Sequence, residues 1–155
     1  MKLYFLYIVS AIFNFYAIML MWGVSAGFAS YLPIASVICS ILLFVIAAPV
    51  IVFNSKWGLI SGLVFSLIMT PFSVMYIIGT IGDSNYHDLI SLLFNIPYLL
   101  PFVVVGYTGK ILIKKKYSLI HFPNSLISKI LLSATPILLF AVYVLSISKN
   151  FSFAR

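Results

Sequence analysis

The sequence predicts an all-α, polytopic integral membrane protein, a bundle of about five transmembrane helices with no soluble domain. Three observations carry this expectation. Five apolar stretches fill nearly all of the 155 residues, and each has about the 20 residues that a spanning helix needs. No charged residue lies inside any of them. Hydrophobic residues make up 64% of the chain and charged residues 7%, with a mean hydropathy of +1.23, whereas a soluble domain is about half apolar and a quarter charged. β-barrel strands are excluded, since they alternate in polarity over about 10 residues, and these runs are apolar on every face.

The first span is read as Leu3–Trp22. It is longer than the roughly 7–15 residues of a signal-peptide core, so we expect it to be retained. Residues 23–33 (GVSAGFASYLP) read as a short uncharged turn. The second span is Ile34–Phe53, followed by the tight turn Asn54-Ser55-Lys56. The third is Trp57–Thr80, and the polar run 82–88 follows it. The fourth is Leu89–Tyr107. A basic segment covers 108–129, and the fifth span is Ile130–Ser148. The whole chain, 1–155, is a single transmembrane domain.

Nine Lys/Arg against Asp83 and Asp88 give a net charge of +7. Such a balance can mark nucleic-acid binding, but here its distribution points to a bilayer. With five spans, Lys2, Lys56, Lys110, Lys114, Lys115, Lys116 and Lys129 share the side of the N-terminus. Only Lys149 and Arg155 fall on the other. Positive charge collects on the cytoplasmic side. The expectation is a cytoplasmic-type (inner) cell membrane, the N-terminus and loop 108–129 inside and the C-terminus opposite. Lys110, Lys114, Lys115, Lys116 and Lys129 are the candidate contacts to anionic lipid or to an acidic partner.

Gly58, Gly62, Ser66 and Thr70 form a row of small residues spaced by four. That spacing places them on one helix face, and small residues let a second helix approach closely in lipid. They are the predicted helix-packing interface, toward the same bundle or toward a partner. Prolines interrupt four spans at Pro49, Pro71, Pro97 with Pro101, and Pro136. Each removes a backbone donor and tends to kink its helix. Asn14 needs a hydrogen-bond partner in hydrocarbon, where an unpaired amide costs several kcal/mol, and a neighbouring helix is the expected one. Asn14, Asn95 and Tyr98 are the candidate intramembrane polar site.

Asp83, His87 and Asp88 are the one cluster with catalytic or metal-binding residue types. On a polar turn they read better as solvated residues, with Asp88 capping the next helix. The lone Cys39 sits mid-span and reads as a small apolar residue. No Asp, Glu, His, Lys or Arg lies inside a span, which disfavours proton relays and ion-coupled pumps. No nucleotide-binding or metalloprotease motif is present, so neither a cofactor nor a catalytic residue is expected. The leading functional expectation is a non-catalytic protein acting by helix contact with a membrane partner, or as a homo-oligomer. It would be an accessory or assembly subunit, or an immunity-type protector. The alternatives are a small carrier or channel subunit for a neutral or lipidic molecule, and a membrane-embedded lipid-modifying enzyme.

Overall fold

The computed structural model describes residues 1–27, 31–82, 89–115, 120, 122–123 and 125–152. All regular structure among them is helical. Helix α1 is Lys2–Gly27, α2 is Tyr31–Leu42, α3 is Ala48–Phe53, α4 is Ser55–Gly82, α5 is Leu89–Ile113 and α6 is Leu126–Ser152. A π-helical stretch, Leu43–Ala47, joins α2 to α3. The three pieces make one continuous apolar run, Tyr31–Phe53. Five helices are thus long and apolar enough to cross a membrane.

The helices outrun the apolar spans at most ends. The expected turn over 23–33 is helical to Gly27 and again from Tyr31. The fourth helix continues past Tyr107 to Ile113, and the fifth begins at Leu126 rather than Ile130. The basic loop is correspondingly shorter than 108–129. Counting apolar residues ends a span at its first polar group, but backbone hydrogen bonding does not stop there. A long side chain such as Lys110 carries its charge away from the helix.

One residue separates α3 from α4. Asn54 is extended, at φ −134° and ψ 97°. Its N–H donates to the Val50 carbonyl at 2.8 Å and closes α3. Its carbonyl accepts from Gly58 N–H at 2.9 Å and opens α4, while its Oδ1 accepts from Trp57 N–H at 3.3 Å. This is side-chain capping of the α4 N-terminus. So tight a turn presses α4 onto α3. A Cβ on Gly58 would collide with the backbone of Ile51.

Helices α1, α2, α4 and α5, with α3 and the π stretch, pack around a common core, and α6 lies outside it against α3 and the π stretch. The core is built from Tyr7, Leu43, Ala47, Ile51, Leu59, Met69 and Val104, all fully buried. Tyr7 lies over Gly62 near the start of α4 and faces Thr108 near the end of α5. Tyr4 touches Leu132 near the start of α6. Lys2, Lys56, Lys110, Lys114, Lys115 and Lys129 therefore share one end of the bundle. Trp57 is 61% exposed and Tyr31 91% exposed at their helix starts.

Candidate functional site

Three polar side chains inside the helices, Tyr4, Asn14 and Thr70, serve the prolines. A proline has no N–H, so the carbonyl four residues earlier loses its helical donor. Pro101 leaves the carbonyl of Pro97, and Asn14 Nδ2 donates to it at 2.6 Å from α1. Pro136 leaves the carbonyl of Leu132, and the Tyr4 hydroxyl donates to it at 2.6 Å, also from α1. Pro71 leaves the carbonyl of Leu67, and Thr70 Oγ1 donates to it at 2.7 Å. Upstream of Pro49 the chain shifts to π pairing, with the Ala48 N–H reaching the Leu43 carbonyl. These are the side-chain donors and π adjustments that make proline tolerable in helices shielded from water. Accordingly α4, α5 and α6 run through their prolines as single helices.

The three residues of the expected polar site do not converge on an open space. Asn14 is fully buried between α1 and α5 and also donates to the Ser10 carbonyl at 3.3 Å. Asn95 Oδ1 accepts from Thr80 Oγ1 at 3.0 Å, tying α5 to α4. Tyr98 is fully buried. Its ring stacks on Tyr76 at 3.8 Å and meets Phe72 edge-on at 5.9 Å. The proline-rich segment of α5 is a packing knot.

The small-residue row is covered from within the chain at its N-terminal half. Gly58 lies against Ile51, and Gly62 lies under the Tyr7 ring. Ser66 is fully buried. Thr70 is partly buried, its hydroxyl turned to its own helix. Of the candidate lysines, Lys110, Lys114 and Lys115 are exposed at the end of α5, where cations favour the helix dipole. Lys129 is partly buried in the first turn of α6. Lys116 and the Asp83, His87 and Asp88 turn lie outside the described residues. No group of three potential metal ligands occurs among the described residues. Cys39 is a buried free thiol.

The feature that sequence reasoning missed is a pocket of about 250 Å³ between α1, α2 and α6. Helix α1 contributes Ala11, Ile12, Phe15 and Tyr16. Ser40, Ile41 and Phe44 form the wall on the α2 side, and Leu139, Phe140 and Tyr143 close it from α6. Helices α1 and α6 run parallel here. They are tied at one level by Tyr4 and the Leu132 carbonyl. At another level Phe15 meets the Tyr143 ring edge-on at 5.8 Å. None of Asn14, Asn95 and Tyr98 lines this pocket. Its residues come from three segments far apart in the chain, and each reads on its own as ordinary span.

No protein-family model matches the chain. Comparison with curated proteins and with solved structures also returns no match.

Proposed function

We propose that this chain is a non-catalytic, multi-pass protein of a cytoplasmic-type cell membrane that acts by packing against another membrane protein. In this reading the lysine-bearing end of the bundle is cytoplasmic, held by anionic headgroups. The C-terminus lies on the opposite side. The protein serves as an accessory or assembly subunit, or as a protector that occupies a membrane-active toxin.

The observation that carries the reading is the unequal use of the five helices. In the apolar window of α6 only 6% of residues are buried, against 56% in Tyr31–Phe53. Gly58 and Gly62 of α4 and the Nδ2 group of Asn14 are already engaged inside the chain. The contact surface in this reading is therefore the outward side of α6, with Leu131, Leu138, Val142 and Leu145, and not the glycine row. Lipid supplies no hydrophobic drive between helices, so such contact depends on fitted packing.

The test is a photo-crosslinking residue at Leu138 or Leu145 in the native membrane. A discrete adduct with one second protein supports the reading and names the process. Adducts with lipid alone at both positions sink it. A second reading, a binder or carrier of a neutral lipidic molecule, is favoured by the pocket between α1, α2 and α6.

A further inference from the structure

We propose that this pocket takes the methyl-end segment of one lipid acyl chain, entering sideways from the bilayer. The proposal rests on the membrane reading above and gives the second reading a site and a ligand class.

Depth comes first. Ile12 and Phe15 lie about 15–20 Å along α1 from Lys2 at 1.5 Å per residue. The hydrocarbon layer is about 30 Å thick. Lys2 marks the headgroup end, so the pocket opens toward the middle of the layer. The solute present there is the end of an acyl chain.

Chemistry selects the same occupant. No lining residue is charged. The Ser40 hydroxyl is already engaged, donating to the Ser36 carbonyl at 2.8 Å. A phosphate would find no counter-charge, and a choline, which aromatic walls could hold, stays at the headgroup level about half the layer away; an alkyl chain needs no counter-charge and is present at this depth. Size excludes a helix, whose diameter with side chains is about 10–12 Å. At about 250 Å³ the pocket is below the roughly 300–1,000 Å³ of a drug-sized ligand site, which suits a short run of methylenes and not a whole lipid.

The backbone is also unusual at this spot. Phe44, one of the lining residues, belongs to the π stretch Leu43–Ala47. Such a stretch pairs i→i+5, one residue more in each hydrogen-bonded loop than an α-helix, which re-aims its side chains, and π-bulges recur at functional sites. A tail that enters leaves hydrocarbon for hydrocarbon, so burial from water contributes nothing. Contact with the aromatic walls does. The site therefore exchanges its lipid readily and selects it by shape.

The experiment uses the full chain in phosphatidylcholine vesicles. The probe is phosphatidylcholine carrying a diazirine either at the methyl end or next to the carbonyl of one acyl chain. Adducts are mapped by mass spectrometry. The methyl-end probe should label Phe15 and Tyr143 at least fivefold more than Ile68, which is exposed on α4 at a similar depth, and the carbonyl-end probe should lose that preference. Ile12→Trp, which fills the pocket, should cut labelling of the lining at least threefold. Val64→Trp, exposed on α4 and outside the lining, should leave it unchanged. Leu139→Trp serves as a second filling variant should Ile12→Trp not fold.

Equal labelling of lining and outward residues overturns the site while leaving the membrane reading intact. Labelling of the lining that survives both filling variants also overturns it. Labelling of no residue by either probe overturns the site and the membrane reading together.

Discussion

Asn14 Nδ2 donates to the carbonyl of Pro97 at 2.6 Å, and that carbonyl lacks a helical donor because Pro101 stands four residues later. The bond couples a side chain of α1 to a backbone defect in α5. A double-mutant cycle tests it. Asn14→Leu should lower stability in detergent by about 1 kcal/mol, within the roughly 0.6–2 kcal/mol of polar contacts in such bundles. Pro101→Ala restores an N–H to the same carbonyl. In that background the loss from Asn14→Leu should shrink by at least half. An unchanged loss would mean that Asn14 acts through packing alone.

Tyr4 and Leu132 repeat the arrangement between α1 and α6. Here the bond also holds the least buried helix in place. Tyr4→Phe keeps the ring and its edge-on contact with Phe122 at 6.1 Å and removes only the donor. We expect faster hydrogen exchange in the first turns of α6 and little change in α4. Adding Pro136→Ala should return the exchange toward that of the parent. Uniform change across all helices would point to general destabilisation instead.

How far the sequence reveals this arrangement depends on the element. The five apolar runs locate the helices, because a spanning backbone must bond within its own segment. Their ends are less legible. Lys110 looks like the close of a span and yet sits in the last turn of α5. The prolines read as kinks, but the helices pass through them, and the reason lies in tertiary partners. Pro101 identifies the Pro97 carbonyl from sequence alone, but nothing local identifies Asn14, 83 residues away, as its donor. The pocket was least legible. Ile12, Phe44 and Leu139 carry no signature beyond being apolar, and only the packing of α6 beside α1 brings them together.

Lys115 lies in the turn after α5 with φ at +49°. Its N–H still reaches the Leu112 carbonyl at 3.2 Å. The left-handed region costs a residue with a Cβ about 1–2 kcal/mol, and glycine is the usual choice there. Lys115→Gly should therefore raise the melting temperature in detergent, where headgroup charge is absent. In vesicles with anionic lipid the gain should be smaller, since one lysine near that surface contributes about 1 kcal/mol. A lower melting temperature in detergent would contradict the strain argument.

Gly58 and Gly62 on one hand, and Gly79, Gly106 and Gly109 on the other, have opposite expected responses to alanine. At Gly58 the new Cβ meets the backbone of Ile51, and Asn54 fixes the separation of the two helices as their single connecting residue. Little can move, so Gly58→Ala should cost more than the 1–3 kcal/mol or so of ordinary overpacking. At Gly62 the obstacle is the Tyr7 ring, which is fully buried and bonded to Thr108 at 3.2 Å. Gly62→Ala should be severe alone, and Tyr7→Leu should partly rescue it by clearing the ring. Gly79, Gly106 and Gly109 face open space. Alanine there should be neutral or stabilising by up to about 1 kcal/mol, the helix-propensity difference. Thermal unfolding of the five single variants and the one double variant checks the order. Equal tolerance at Gly58 and Gly106 would contradict the close approach of α3 and α4.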